Sequence, residues 1–323
     1  MNSPSTSSPV LSIPAKLLAY LQMMRPANIV TAWADISAGV AAAGLFAVPI
    51  PSDQIWRLQS WAVAGIDHIP ALLWLLLATS GLYGGGVVFN DVFDAELDAE
   101  ERPERPIPSG RSSKGEAIAL GLSLLVIGAI AAAQVSWISC GLAIATALSA
   151  LLYDSVSKHS AIFGPLNMGT CRGLNLLLGI SIVPAMILPL LFLAIIPVLY
   201  IGAITAISQG EVSGGKQRTG MFALGLIGSV IGIVLGLSLL PFYQLWNVLP
   251  FTLLFAGLTV PAFISAARTP TPECIRTAVR AGILSLIVLD AALAGGFAGI
   301  LYGLVVLSLL PLSRGLAKVF AVT

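Results

Sequence analysis

Nine separate stretches of about twenty apolar residues constrain this chain more than any other feature. They run over residues 28–48, 71–90, 116–135, 137–153, 165–183, 188–207, 221–241, 248–267 and 281–301. A helix crossing the hydrocarbon of a bilayer needs about 20 such residues. In lipid every backbone polar group must be satisfied within the fold, which leaves helices and closed barrels. The pattern predicts an all-α, polytopic transmembrane bundle of about nine helices. Charge supports this, since charged residues make up only 10% of the chain against about 25% in soluble domains. A formal net charge of +1 gives no footing for a nucleic-acid partner. Cys140, Cys171 and Cys274 are too scattered for a zinc site or a disulfide framework. Residues 1–15 are polar, small and Pro-broken, and read as a disordered tail without a secretory signal; residues 16–323 form the membrane domain. The final apolar run, 281–312, is too long for one span and too short for two. It predicts a helix followed by a half-helix or an interfacial segment.

The loops alternate. Residues 91–115, 154–164, 208–220 and 268–280 are charged, whereas the loops near 136, 184–189 and 242–247 are short or neutral. Twelve of the 16 basic residues fall with the charged set or just before the first span, and Arg57, Arg314 and Lys318 fall on the other side. The positive-inside rule puts the N-terminus and the charged loops in the cytoplasm. An odd number of spans then puts the C-terminus outside. Four charged loops at one face predict a cavity open toward that face.

The densest chemistry is NDVFDAELDAEERPERPIPSGR, residues 90–111. Residues at i, i+3 and i+7 share a helix face, so Asp91, Asp94 and Asp98 form one carboxylate stripe at the end of the second span. Such closely placed like charges need a cation between them. Magnesium commonly takes one or two carboxylates and completes its shell with waters and substrate phosphates. The stripe is therefore a candidate Mg²⁺-dependent diphosphate anchor, and Arg102, Arg105 and Arg111 could neutralise a departing diphosphate. The alternative is a solvated acidic helix end. Against it, a chain this poor in charge places seven acids within fifteen residues beside the membrane.

These residues resemble the UbiA superfamily of intramembrane prenyltransferases. The likeness rests on the NDxxDxxxD pattern at Asn90, Asp91, Asp94 and Asp98. It also rests on RPxRPIPSG with Arg102, Arg105, Pro106, Ser109 and Gly110, and on RPAN with Arg25, Pro26 and Asn28. The resemblance implies a helical bundle whose central cavity opens laterally to lipid. It further implies Mg²⁺-dependent transfer of a prenyl group from a prenyl diphosphate to an aromatic or other lipophilic acceptor. Asn28, Asn90 and Arg102 are then substrate-binding candidates, Asp91, Asp94 and Arg105 catalytic ones, and Asp91, Asp94 and Asp98 metal ligands. YDSVSK looks like the family's tyrosine-and-lysine loop, with Tyr153 and Lys158 toward the diphosphate; the alternative pairs Lys158 with Asp154.

Three further features bear on the site. A charge inside a span is costly and functional by default. Arg172, flanked by Asn167 and Asn175, therefore either faces the cavity or pairs with Asp35 or Asp290. In ISQGEVSGGKQRTG, residues 207–220, the family's second acidic motif is reduced: Glu211 stands alone, with Gly215 four residues on. Glu211 is a candidate second metal ligand there. Lys216 and Arg218 are candidates to contact phosphate directly, the alternative being a flexible basic loop. This loop looks like the EboC-like branch of the superfamily. The leading expectation is a Mg²⁺-dependent prenyltransferase with a prenyl diphosphate, a lipophilic acceptor and the bilayer as partners. The alternative is a non-catalytic protein on the same scaffold that binds or transports an isoprenoid or natural-product precursor. An ion-coupled transporter would keep its charges near the midplane, whereas most acids here lie at one face.

Overall fold

The computed structural model describes residues 15–45 and 68–320. The expected tail and Arg57 lie outside the described residues, apart from Ala15. Every regular element described is helical. In chain order the helices of seven or more residues are α1 (Ala15–Met24), α2 (Pro26–Ala42), α3 (Ile69–Phe93), α4 (Ala95–Glu101), α5 (Lys114–Ala133), α6 (Trp137–Ser155), α7 (Phe163–Ile180), α8 (Ile195–Ser208), α9 (Gln217–Gly236), α10 (Leu245–Arg268), α11 (Pro272–Ala298), α12 (Ile300–Leu307) and α13 (Leu309–Ala317). Local chemistry sets several starts. Ser113 and Glu116 close a capping box on α5. Ser136 caps α6 by accepting from the Ser139 amide, and Thr271 caps α11 ahead of Pro272.

Eight helical runs among the described residues are long and apolar enough to cross a membrane. Two segments counted as spans from the sequence are not among them. α2 has 17 residues, and α7 carries Asn167, Arg172 and Asn175. Both sit inside the bundle, where polar side chains meet protein instead of lipid. Almost all of α2 is buried. α2 and α7 meet backbone to backbone: a Cβ on Gly39 would lie 2.8 Å from the Ile180 nitrogen, and one on Gly179 2.9 Å from Ile36 Cα. Such small-residue contacts are how membrane helices pack closely, since lipid supplies no hydrophobic force to join them.

The last apolar run departs from expectation. α11 begins at Pro272 and is the most enclosed of the long helices. Gly299, at φ 93° and ψ 163°, breaks it in a conformation nearly confined to glycine. The chain then returns as α12 and α13. Tyr302 Oη donates to the Ser37 carbonyl at 3.3 Å and Ser313 Oγ to the Ala27 carbonyl at 2.9 Å. The returning segment thus runs antiparallel to α2 and reaches the end of the bundle that holds Arg25. Arg314 and Lys318 share the charged face, and the expectation of a C-terminus on the opposite face is corrected. The half-helix expected after the ninth span is a helical pair that travels back through the bundle.

Candidate active site

The charged face is organised by ion pairs between the acidic stripe and the bases around it. Arg25 sits between α1 and α2 with φ 49°, a left-handed conformation uncommon outside glycine. That turn sends its guanidinium to Asp91, where Nη2 donates to Oδ1 at 2.8 Å. Arg105 Nη1 reaches Asp98 Oδ2 at 2.6 Å and Asp91 Oδ1 at 3.4 Å. Lys158 Nζ donates to Asp94 Oδ1. The stripe survives the break between α3 and α4, because the Asp94 and Asp98 amides bond back to the Asn90 and Asp94 carbonyls at 2.9 and 2.8 Å. The like charges are therefore held together by one lysine and two arginines. Asp154 does not bond Lys158; its Oδ1 accepts the Asn90 amide at 2.9 Å.

Behind this cluster lies a cavity of about 440 Å³. Its mouth carries Asn90, Asp94, Asp98 and Glu211 beside Arg25, Arg102 and Arg105. Its walls are apolar, with Leu82, Val87, Ile201, Ile204, Ile283 and Leu286. Arg172, Asn175 and Thr79 also line it. Asn90 and Thr79 are eleven residues apart on α3, so at 1.5 Å per residue the cavity runs roughly 16 Å into the bundle. Half-burial pushes the Glu211 carboxyl above its ordinary range, against the pull of Arg102 and Arg276.

The residues expected at the site divide into three groups. Asn28, Asn90, Asp94, Asp98, Arg102, Arg105, Tyr153, Arg172 and Glu211 all line the cavity. Lys158 lines an adjoining recess that shares Asp94 and Asp154. The others stand apart. Asp91 is buried at 5% exposure beneath Arg25 and Arg105 and is not among the lining residues. Asn167 bonds Ser149 and Ser157 between α6 and α7. Lys216 and Arg218 are exposed at the start of α9, outside the cavity lining. Arg172 meets both sequence alternatives: it lines the cavity, and its Nη1 donates to Asp35 Oδ2 at 2.7 Å. Arg25 and Asp154 were undervalued in the sequence. Arg25 was visible as a base directly before Pro26 at the membrane boundary, whereas only the fold brings Asp154 to Asn90.

The oxygen donors at the mouth suit a hard divalent cation. Asp94, Asp98 and Glu211 face one space, and magnesium needs only one or two carboxylates when substrate phosphates complete its shell. Among the described residues, no three His, Cys, Asp or Glu side chains converge as a ready-made cage.

The family model of the UbiA prenyltransferase family matches residues 58–276. A digeranylgeranylglyceryl phosphate synthase from Methanothrix thermoacetophila is 32% identical over 164 residues, covering 50% of this chain and 54% of the relative. The namesake enzyme of Saccharolobus solfataricus is 28% identical over 163 residues, covering 50% and 51%. The chain thus spans about half the length of the curated relatives it matches. Among solved structures, a UbiA homologue from Archaeoglobus fulgidus bound to DMAPP and Mg²⁺ aligns with a TM-score of 0.59 at 16% identity, over 90% of this chain and 99% of that one. At that identity the likeness concerns the fold.

Proposed function

Because this chain belongs to the UbiA prenyltransferase family, we propose that it transfers a prenyl group from a prenyl diphosphate to a lipophilic acceptor within the membrane. One observation carries the reading. A cavity with apolar walls opens at a mouth where carboxylates and arginines alternate, matching a molecule with an anionic head and a hydrocarbon tail. The bias of basic residues to this face supports a cytoplasmic orientation for the mouth. The relatives' name, digeranylgeranylglyceryl phosphate synthase, supports the prenyl donor; this chain's own acceptor is left at the level of a lipophile.

Lipid is as apolar as the cavity wall, so moving the tail from bilayer to cavity gains little. Affinity must come from the head. Arg25, Arg102 and Arg105 are positioned to bind the diphosphate oxygens, and Lys158 stands beside them. Asp91 acts as a positioning residue by fixing Arg25 and Arg105. Asp94 and Asp98, with Asn90 and Glu211 nearby, would hold Mg²⁺, which when bound would supply positive charge to the diphosphate. As the bond from C1 of the prenyl group to its oxygen breaks, the arginines and Lys158 stabilise the negative charge gathering on the leaving group. The walls keep water from the allylic cation, so the acceptor captures it.

Glu211, the lone carboxylate of the 208–220 loop, favours a second reading, in which the cavity binds an isoprenoid without turning it over. One experiment separates the two. Purified protein in lipid nanodiscs receives radiolabelled GPP, Mg²⁺ and a panel of phenolic and alcohol acceptors. The expected result is release of diphosphate and acceptor mass increased by one prenyl unit, both abolished by EDTA. Saturable binding without diphosphate release would reject transfer in favour of the carrier.

A further inference from the structure

The floor of the cavity is polar, and diphosphate recognition at the mouth makes no use of it. Arg172 is 6% exposed and Asn175 5%, and both line the cavity with Thr79. Arg172 Nη1 donates to Asp35 and Nη2 to Thr31 Oγ1, while its guanidinium lies 5.2 Å from the Tyr83 ring centroid. Asn175 Nδ2 donates to Asp35 Oδ2 at 2.9 Å and to the Ala32 carbonyl at 3.0 Å. Its Oδ1 accepts the Thr79 hydroxyl at 2.7 Å. A guanidinium has five N–H donors, and the named bonds use two. Thr79 Oγ1, having donated its hydrogen, can still accept.

The charge of this floor is cancelled from behind. Arg172 Nη1 and Asp35 Oδ2 form a buried ion pair at 2.7 Å, and among the described residues Asp35 Oδ1 and Asp290 Oδ2 are buried without a hydrogen-bond partner. The guanidinium is thus already matched by a carboxylate, and an added anion would meet a neutral pair beside further carboxyl oxygens in a low-dielectric interior.

We propose that Arg172, Asn175 and Thr79 form a second subsite that seats an uncharged oxygen function, a hydroxyl or carbonyl, at the deep end of a lipophilic ligand. The ligand oxygen accepts from Arg172, and a ligand hydroxyl donates to Thr79 Oγ1. Resting on the transferase reading, this ligand is the acceptor, held by an oxygen distant from its reacting one. The position fits: Tyr83, under Arg172, is seven residues from Asn90 on α3, roughly 10 Å below the mouth.

The test uses radiolabelled 4-nonylphenol and 4-nonylbenzoate on the full chain in nanodiscs, with protein-free discs as background and no diphosphate present. The phenol is expected to bind saturably and the benzoate not. Thr79→Val and Arg172→Lys are each expected to weaken phenol binding about tenfold, the cost of leaving buried polar groups unpaired. GPP binding at the mouth reports that the variants are folded; if Arg172→Lys loses it, Thr79→Val alone decides. Equal binding of the benzoate, or phenol binding unchanged in the folded variants, would overturn the subsite. Absence of prenyl turnover together with the expected phenol pattern would sink the transferase reading alone.

Discussion

Asp94→Ala is expected to lower prenyl transfer about a thousandfold, at the upper end of what one preorganised electrostatic group contributes. Asp94 lines both the main cavity and the adjoining recess, and its carboxylate anchors Lys158. Removing it deletes an oxygen donor from the mouth and releases the lysine from its position. The protein should remain folded, because Asp94 is at the junction of α3 and α4 and is partly open to solvent. Rates with radiolabelled GPP, beside an unchanged thermal midpoint, check this. Asp91→Ala should differ in kind. Asp91 holds Arg25 and Arg105 from beneath the wall, so its loss should weaken GPP binding and lower stability together. If Asp91→Ala removed Mg²⁺ dependence while leaving GPP affinity intact, Asp91 would be a ligand and its place under the arginines incidental.

Asp35→Ala is expected to cost about 3–5 kcal/mol of stability, because it strands the buried Arg172 guanidinium without its counter-charge. Asp35 is 1% exposed, and Oδ2 receives both Arg172 and Asn175. The substitution would thus leave two buried donors unsatisfied in the middle of α2 and α7. A thermal scan in detergent should show the midpoint falling by about ten degrees. A midpoint within two degrees or so of the parent would mean that water or lipid headgroups reach Arg172 and that the floor is not dry.

The bundle was legible in the sequence because a membrane span is a local property. Twenty apolar residues announce themselves without reference to the rest of the chain. The NDxxDxxxD stripe was legible for the same reason, since its spacing fixes one helix face. What the sequence withheld depends on contacts between distant residues. Arg25 and Asp91 are 66 positions apart, and Arg172 and Asp35 are 137 apart. No local pattern says that Asp91 lies under the arginines instead of facing the cavity, or that Lys158 takes Asp94 in preference to Asp154. The returning C-terminal segment was obscured by apolarity running through Gly299, whose φ of 93° divides what hydropathy joins. Lys216 and Arg218 shared a loop with Glu211, but only Glu211 reaches the cavity, because Lys216 starts α9 and points the loop's basic end outward.

The central claim is that a diphosphate head sits among Asp94, Asp98 and the arginines while its prenyl tail lies along the apolar cavity wall behind them. It can be tested by photolabelling with a prenyl diphosphate carrying a diazirine at the tail end, followed by peptide mass spectrometry. Crosslinks are expected at wall residues such as Ile204, Ile283 or Leu286, competed away by GPP. Crosslinks confined to outward-facing residues such as Leu122 or Val126, or insensitive to GPP, would contradict the account.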